Sequence, residues 1–254
     1  MSKIELIQGD CLITMKDIPD KSIDMVLTSP PYDNLRTYNG SLDWGEHVWK
    51  PVIQELFRIV KDGGVVVWVV GDETSKFCES LVSFKQAIYF NDNGFNLLDT
   101  MIYYKQNYAP AYPTLRRYAN QFEYMFVFSK GKPKTFNAVM VDKVGNRNGW
   151  SGFRQKDGSV KRKIVKTHGD KKQASNVWSF PVGFKNCGHP AVFPEKLAHD
   201  HIISWSNEGD IILDPFAGSG TVGKMAKQLN RNCILIEKVS EYFKIAEKRI
   251  NENL

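Results

Sequence analysis

Cysteine and long uncharged apolar runs are scarce in this sequence of 254 residues. Its four cysteines lie far apart and form no C-x-x-C pair: Cys11, Cys78, Cys187 and Cys233. Such spacing argues against a zinc site or a disulfide framework and fits a reducing cytosol. No uncharged apolar run approaches the length of a membrane span. Because Met1–Glu5 also lacks the apolar core of a secretory signal, we expect a cytoplasmic protein.

Histidine is also scarce, with five residues in the chain. His199 and His201 are close in sequence, but positions i and i+2 of the helix expected there point to different faces. Because a metal ion needs several ligands on one side, we expect no metal site.

Acidic residues are fewer than basic ones, which gives the chain a net charge of +6. The excess is local, because residues 130–172 contain thirteen Lys or Arg and three Asp or Glu, a balance of +10. The remainder of the chain is therefore mildly acidic, at −4. A basic module on a mildly acidic body indicates a polyanionic partner.

Residues 130–180 are rich in Gly, Asn, Lys and Arg, and aromatic residues are interleaved with them. Basic and aromatic residues on a loop-rich platform suit the phosphates and bases of a nucleic acid. We therefore predict an insertion that binds a nucleic acid. Its candidate binding residues are Arg147, Arg154, Lys161, Arg162 and Lys163. The alternative is a solvated, loop-rich insertion.

Apolar segments with strand and helix periodicity alternate along the rest of the chain, which indicates an α/β fold. The expected strands are 4–7, 23–27, 65–70, 96–104, 122–129, 211–213 and 233–236. The expected helices are 11–18, 49–60, 76–93, 195–205, 222–229 and 240–250. Such alternation predicts a mostly parallel sheet covered on both faces. We expect one domain made of residues 1–129 and 181–254, interrupted by the insertion at 130–180.

A proline pair follows the expected strand 23–27, in the stretch Thr28-Ser29-Pro30-Pro31-Tyr32. Prolines stiffen the backbone just past the carboxyl end of a strand, where α/β sheets bind ligands. The Ser29 hydroxyl and the Pro30 carbonyl are acceptors, and Tyr32 adds a flat ring. We therefore predict a site that binds a planar ring with an exocyclic amine. Its candidate catalytic residues are Ser29, Pro30, Pro31 and Tyr32. A proline-rich turn with a packed tyrosine is the alternative.

A glycine-rich turn follows the strand at 211–213, in the stretch Asp214-Pro215-Phe216-Ala217-Gly218-Ser219-Gly220-Thr221. Glycines there let the backbone approach a ligand at the amino terminus of the next helix. Glu237, at the end of the next strand, can accept both hydroxyls of a ribose. Gly218–Gly223 also matches the pattern G-x-G-x-x-G, so a nicotinamide-dependent oxidoreductase is the alternative. The carboxylate of Asp214 and the ring of Phe216 disfavour the oxidoreductase, because the pyrophosphate of a dinucleotide needs neither group.

The two motifs together resemble those of the amino-group DNA methyltransferases. Asp214–Thr221 is similar to their S-adenosylmethionine motif, and Thr28–Tyr32 is similar to their catalytic motif. The order of catalytic motif, basic insertion and cofactor motif resembles the beta group of that family, which implies that the insertion at 130–180 is a target-recognition module that binds DNA. Gly9–Cys11 and His189–Leu197 fall where this group has lesser motifs. The resemblance implies a Rossmann-like, seven-stranded, S-adenosylmethionine-dependent methyltransferase sheet in circularly permuted motif order, completed by both ends of the chain.

The same resemblance implies how S-adenosylmethionine would be bound. Asp10 would contact the adenine amine, Phe216 the adenine ring and Glu237 the ribose. Asp214 and the Gly218–Gly220 turn would hold the methionine end. The full implied set, in which His189, Pro190 and Phe193 close the pocket, is Asp10, Cys11, His189, Pro190, Phe193, Asp214, Pro215, Phe216, Gly218, Ser219, Gly220, Thr221 and Glu237.

The implied reaction is methylation of an exocyclic amine in double-stranded DNA, with a cognate restriction endonuclease and a second copy of the chain (a homodimer) as further candidate partners. A base buried in a duplex must first be flipped out, at about a few kcal/mol. Ser29 and Pro30 would accept hydrogen bonds from the N–H groups of the amine and so expose its lone pair for in-line attack on the methyl group. Ser29 favours N4 of cytosine over N6 of adenine, for which a carboxylate acceptor is more often found at this position.

Three other functions are disfavoured. Methylation of carbon 5 of cytosine needs a nucleophilic cysteine after a proline, and none of the four cysteines follows one. Enzymes that modify RNA bases or a protein glutamine usually place the cofactor motif before the catalytic one. A non-enzymatic DNA-binding module would have no use for an intact cofactor motif.

Overall fold

The computed structural model describes residues 2–31, 44–108, 116–143, 149–165, 170–182 and 192–252, with the backbone alone at 149–151 and 162–165. The chain divides into two compact units. The first unit comprises Met1–Asn137 and Asn176–Leu254, and the second is Ala138–Ser175. The second unit lies within the range 130–180 expected for the insertion.

The described residues form the following strands and helices. The strands are β1 Ile4–Gln8, β2 Ile23–Thr28, β3 Val60–Val70, β4 Thr74–Ser75, β5 Cys78–Glu79, β6 Asn96–Lys105, β7 Phe122–Ser129, β8 Met140–Asp142, β9 Gly149–Arg154, β10 Val160–Val165, β11 Lys171–Gln173, β12 Val177–Phe180, β13 Ile211–Asp214 and β14 Asn232–Glu237. The helices are α1 Cys11–Thr14, α2 Glu46–Ile59, α3 Val82–Asp92, α4 Glu195–Trp205, α5 Thr221–Gln228 and α6 Ser240–Asn251, and a single 3₁₀ turn at Met15–Asp17 follows α1.

The first unit is built on an eight-stranded sheet with the order β1-β14-β13-β2-β3-β7-β6-β12. All neighbouring pairs are parallel except those of β7, which runs antiparallel to both β3 and β6. The late strands β13 and β14 lie between the early strands β1 and β2, so the two ends of the chain complete one sheet. The α/β prediction with a mostly parallel sheet is therefore confirmed.

The sheet has one strand more than the seven expected. β12 lies in sequence within the range assigned to the insertion, but it pairs in parallel with β6, with Val177 opposite Ile102. Its sequence neighbours are basic and polar, and local composition therefore did not distinguish it from the insertion.

The core of the sheet is formed by β3 and the helices that cover it. Residues 65–70 of β3 are all buried, as expected for a strand with apolar side chains on both faces. Trp68 packs edge-on against Phe90 of α3, and Phe90 stacks on Phe128 of β7 with ring centroids 4.2 Å apart. Among the described residues, no helix is long and apolar enough to cross a membrane.

Two helices begin at positions other than those expected. α2 begins at Glu46 rather than at residue 49, because the Gly45 carbonyl already accepts from the N–H groups of Val48 and Trp49. The expected helix 76–93 is wrong in its first part, where β4 and β5 form a short hairpin. α3 begins at Val82 because the Asp72 carboxylate accepts from the backbone N–H and the hydroxyl of Ser83.

The second unit contains two antiparallel strand pairs, β9 with β10 and β8 with β11. The β9–β10 hairpin turns at Gly158, which has a φ of +84° and donates its N–H to the Gln155 carbonyl. The Gln155 N–H donates to the Ser159 carbonyl over 2.7 Å, so this pair closes a loop of three residues, 156–158. A glycine in the left-handed region suits such a loop.

Candidate active site

Five parallel strands end at one edge of the sheet in the first unit, which we call the carboxyl edge. β1, β14, β13, β2 and β3 are consecutive neighbours there and run in the same direction. The residues at or just beyond their ends include Asp10, Glu237, Asp214, Ser29 and Asp72. Ligands of open α/β sheets bind at such an edge. The fold therefore brings the two sequence motifs to one place.

A direct hydrogen bond joins the two motifs. The Thr28 hydroxyl donates to Asp214 Oδ1 over 2.6 Å, although the residues are 186 positions apart in sequence. Thr28 is 1% exposed and Asp214 is 4% exposed, so water competes little for this bond. The Phe216 N–H donates to the same oxygen over 3.1 Å. Asp214 therefore fixes both the strand that leads to Ser29 and the turn that follows β13.

The same burial changes the acidity of Asp214. Burial is the largest cause and raises its pKa, the hydrogen bonds from Thr28 and from the Phe216 N–H lower it, and the nearby charge of Glu237 raises it, so that the pKa is about 7. Asp214 consequently titrates near neutral pH, with a charge that depends on Thr28.

Glu237 is held by backbone donors at the end of β14. Its Oε2 accepts from the Gly218 N–H over 2.8 Å, and its Oε1 accepts from the Val239 N–H over 2.7 Å. Burial raises the pKa of Glu237, and these backbone hydrogen bonds oppose that shift. An ionised carboxylate has about four acceptor sites, so each oxygen keeps capacity for one more donor, such as a ligand hydroxyl.

Asp10 lies beside β14 because the chain leaves β1 at the same edge, where Gln8 is opposite Glu237. Its carboxylate caps α1 by accepting from the Leu12 N–H over 2.9 Å and also accepts from Lys238 Nζ over 3.0 Å. Burial opposes ionisation, but the Lys238 and Leu12 hydrogen bonds prevail and lower the pKa of Asp10. The Lys238 contact was not anticipated, although this residue directly follows Glu237 in sequence.

Cys11, also assigned to the cofactor site, is a buried thiol. Burial and the charge of Asp10 raise its pKa to about 12. The thiol is therefore neutral at physiological pH and is unsuited to act as a nucleophile.

The Phe216 ring packs against two tryptophans. Its centroid is 5.4 Å from that of Trp44 and 6.3 Å from that of Trp68, and both contacts are edge-on. The Trp68 indole N–H donates to Gln86 Oε1 over 2.8 Å, which fixes the orientation of its ring. Neither tryptophan was selected from the sequence, because the distant Trp44 and Trp68 meet Phe216 only in the folded sheet.

The glycine-rich turn between β13 and α5 is held by Arg249 of α6. The Arg249 guanidinium donates to the Ser219 carbonyl over 2.8 Å, to the Ser219 hydroxyl over 2.6 Å and to the Thr221 hydroxyl over 3.0 Å. It also donates to Glu195 of α4 over 2.9 Å. The two hydroxyls assigned to cofactor binding therefore already hold a protein partner, and sequence pattern gave no indication of it.

Glycine is required for packing both at Gly220 in this turn and at Gly223 in helix α5. Gly220 has a φ of +75°, and a Cβ there would lie 2.9 Å from the Cβ of Ala246 in α6. A Cβ on Gly223 would lie 2.2 Å from Cδ1 of Leu235 in β14. Close packing against α6 and β14 therefore explains why these two positions need glycine. The sequence indicated only the approach of a ligand as a reason.

The remaining predicted residues are placed as follows. In the catalytic motif, Pro30 is buried and Ser29 and Pro31 are half-buried, while Tyr32 lies outside the described residues. Of the other cofactor candidates, Pro215 is buried and Phe193 is half-buried, and His189 and Pro190 are outside the described residues. Of the DNA candidates, Arg154 and Lys161 are exposed on the β9–β10 hairpin, Arg162 and Lys163 are backbone positions of β10, and Arg147 is outside the described residues. The binding roles of all these residues stay predictions.

Comparisons with known proteins agree with this geometry. Residues 23–248 match the model of the DNA methylase family whose members modify N6 or N4 amino groups. The orphan methyltransferase M.BamHII of Bacillus amyloliquefaciens is 47% identical over 255 residues, which cover 92% of this chain and 91% of that protein. The cytosine-N4-specific PvuII DNA methyltransferase has the same fold, with a TM-score of 0.75 at 21% identity over 100% of this chain and 88% of its own. M1.HpyAVI, solved as its SAM complex, gives a TM-score of 0.66 at 26% identity over 98% of this chain and 99% of its own.

Proposed function

Because the chain belongs to the family of DNA methylases that modify N6 of adenine or N4 of cytosine, we propose that it methylates N4 of a flipped cytosine in duplex DNA. Membership of the family makes it an S-adenosylmethionine-dependent DNA methyltransferase. The choice of target base and the roles of individual residues are our inference. The observation that carries the proposal is the Thr28–Asp214 hydrogen bond, because it fastens the catalytic motif Thr28–Tyr32, which we call the acceptor motif, to the glycine-rich motif Asp214–Thr221.

The carboxyl edge suits S-adenosylmethionine, which supplies a methyl group on a positively charged sulfur. Glu237 keeps acceptor capacity for the ribose hydroxyls, and the half-buried ring of Phe216 offers a surface for adenine. Asp214, which titrates near neutral pH, and the turn after Phe216 would face the methionine end. Asp10 would contact the adenine amine beside Lys238.

The acceptor motif would prepare the target amine for attack. The Ser29 hydroxyl and the Pro30 carbonyl would accept hydrogen bonds from the two N–H groups of the amine, which would draw the nitrogen toward tetrahedral geometry. Its lone pair would then be less delocalised into the ring and available for in-line attack on the methyl carbon. The bond from that carbon to sulfur would break with its electron pair passing to sulfur, and the methylated nitrogen would release one proton to water. Tyr32 would stack on the flipped base and offset part of the few kcal/mol, approximately, that flipping costs.

Ser29 is the reason for choosing cytosine. Its hydroxyl is neutral and can both donate and accept, so it suits an amine next to a ring nitrogen. N6 of adenine is the second candidate, since the family includes both chemistries. Digesting DNA methylated by the purified enzyme to nucleosides and identifying the product by mass spectrometry decides between them. We expect N4-methylcytosine, and N6-methyladenine would overturn the choice of base without affecting the family assignment.

We also propose that the basic second unit holds DNA phosphates. Arg154 and Lys161 are exposed on the β9–β10 hairpin, where Arg162 and Lys163 follow in β10. Each lost phosphate contact reduces the salt slope of binding by about 1. We expect Lys161→Ala to flatten the slope, whereas Lys244→Ala on the exposed side of α6 leaves it unchanged. If both variants show the same salt slope of DNA binding, the hairpin is a solvated loop that does not bind phosphates.

Three finer points complete the proposal. The enzyme would act in the cytoplasm, where it meets host DNA. Its further candidate partners are a cognate restriction endonuclease and a second copy of the chain, with which it would form a homodimer. Sequencing DNA from an expression host for modified bases gives the recognition site, and light scattering gives the number of chains per particle. Calorimetry with S-adenosylmethionine and NAD tests the cofactor, and binding of NAD alone would support the oxidoreductase alternative.

A further inference from the structure

A tight hairpin of strained backbone follows β3 at the carboxyl edge. β4 and β5 pair with Thr74 opposite Glu79 and Ser75 opposite Cys78, so the loop between them has two residues. These residues, Lys76 and Phe77, have φ values of +49° and +62°. A two-residue type I′ loop requires positive φ at both positions and is normally built from Asn and Gly. A lysine and a phenylalanine there are strained, and strain of this kind concentrates at functional sites.

The base of this hairpin is firmly anchored. The Asp72 carboxylate accepts from the Ser80 hydroxyl over 3.2 Å, from the Ser83 N–H over 3.0 Å and from the Ser83 hydroxyl. The Ser80 N–H donates to the Glu73 carbonyl over 2.9 Å. These bonds tie the hairpin to the first turn of α3 and hold its loop in the strained conformation.

The hairpin presents a large apolar side chain at the same edge of the sheet as the acceptor motif. β3 is the parallel neighbour of β2, with Thr28 opposite Trp68, so both chains leave the sheet at the same edge. Phe77 is 82% exposed at the tip of the hairpin, so packing within the protein does not explain an aromatic residue there. Lys76 beside it adds a positive charge, and the acidic Glu73 and Glu79 lie at the base of the hairpin rather than at its tip.

We propose that Phe77 enters the base stack of the duplex and occupies the space that the flipped base leaves. The inference rests on the proposed function, because extrusion of a base from a duplex creates such a space. Apolar side chains inserted between base steps are an established way of holding distorted DNA. A flat ring restores stacking with the neighbouring bases, and Lys76 lies next to it to contact a phosphate.

Base flipping can be measured with 2-aminopurine at the target position of the recognised site, since its fluorescence rises when it leaves the stack. We expect Phe77→Ala to lose most of this rise and to lower kcat/KM by about tenfold, the effect of one lost aromatic stack. Phe77→Trp keeps a flat ring and should retain both. S-adenosylmethionine affinity should be unchanged in each variant.

A matched control lies at the other edge of the sheet. Leu98 is 43% exposed near the start of β6, whose first residue Asn96 is opposite Ser129, as is Val65 near the start of β3. The corresponding change there, Leu98→Ala, should leave the fluorescence rise at its wild-type value. A target base paired with a mismatch flips more easily, so this substrate should restore most of the activity of Phe77→Ala.

The outcomes separate the inference from the function on which it rests. Wild-type enzyme that methylates no DNA would contradict the proposed function. Wild-type methylation with an unchanged fluorescence rise in Phe77→Ala, or a loss that the mismatched substrate does not restore, would overturn the role of Phe77 alone. An equal loss in Leu98→Ala would also overturn it, because the effect would then not depend on the carboxyl edge.

Discussion

Replacing Thr28 by valine tests the hydrogen bond that joins the two motifs. Valine has nearly the same shape but lacks the hydroxyl that donates to Asp214 over 2.6 Å. A hydrogen bond to a charged group contributes about 1.5–3 kcal/mol, and one between neutral groups about 1 kcal/mol. We therefore expect Thr28→Val to lose about 1 kcal/mol of stability where Asp214 is protonated and about 2 kcal/mol where it is ionised.

The pH determines which value applies. Burial raises the pKa of Asp214 to about 7 from an ordinary value of 3.8. The folded state therefore holds a proton that the unfolded state has released, and the free energy of unfolding falls as the pH rises between these two values. The Thr28 hydrogen bond lowers the folded pKa. Its removal raises the pKa of Asp214 further, so the fall extends to higher pH and the variant loses most stability above pH 7.

Urea unfolding followed by circular dichroism at about pH 5.5 and about pH 8.5 measures the difference, since the midpoint and slope give the free energy of unfolding. Thr28→Ser is the control, because it keeps the hydroxyl and loses one methyl group, which costs about 1 kcal/mol independently of pH. A loss in Thr28→Val that is the same at both pH values would refute the reasoning, because Asp214 would then not be the charged acceptor.

Three further perturbations test the site. Tyr32→Ala should abolish most turnover in a methyl-transfer assay while calorimetry shows unchanged S-adenosylmethionine binding, and retained turnover would remove Tyr32 from the catalytic set. Gly220→Ala should destabilise the fold by more than the roughly 1–2 kcal/mol that a left-handed φ costs an alanine, because the new Cβ would lie 2.9 Å from that of Ala246. Gly158→Ala is the control: its φ is +84° and a Cβ there has nothing within 4 Å, so urea unfolding of this variant measures the cost of the left-handed φ alone. Arg249→Ala should lower the free energy of unfolding by about 2 kcal/mol, because it removes charged hydrogen bonds to the glycine-rich turn, and it should also weaken cofactor binding. Wild-type values in thermal denaturation and calorimetry would show that the turn keeps its conformation without Arg249.

Local pattern was sufficient where a segment is regular and continuous. The strands at β1, β2, β7 and β14 and the helix α4 lie within one or two residues of the positions expected from apolar periodicity. The prediction failed at residues 76–81, where helical periodicity was assumed although the carboxylate of Asp72 fixes the start of α3. A cap formed from outside the helix overrides local propensity there.

The antiparallel direction of β7 and the eighth strand β12 could not be obtained in the same way. Both depend on which strands pair, and a strand has the same period of two whichever neighbour it meets. Thr28–Asp214, Trp44–Phe216–Trp68 and Arg249–Ser219 likewise join segments that are distant in sequence.

The sequence by itself determined the chemistry that this protein can offer: a serine and prolines after one strand, a glycine-rich turn after another, an acid after a third, and a basic insertion. The tertiary structure alone decided which of these groups touch, how Asp214 acquires a pKa of about 7, and that Arg249 occupies the hydroxyls of Ser219 and Thr221. The physical reason is that the type and order of side chains are local properties of the chain. Burial, hydrogen-bond partners and acidity depend on the atoms that the folded sheet brings within a few ångströms.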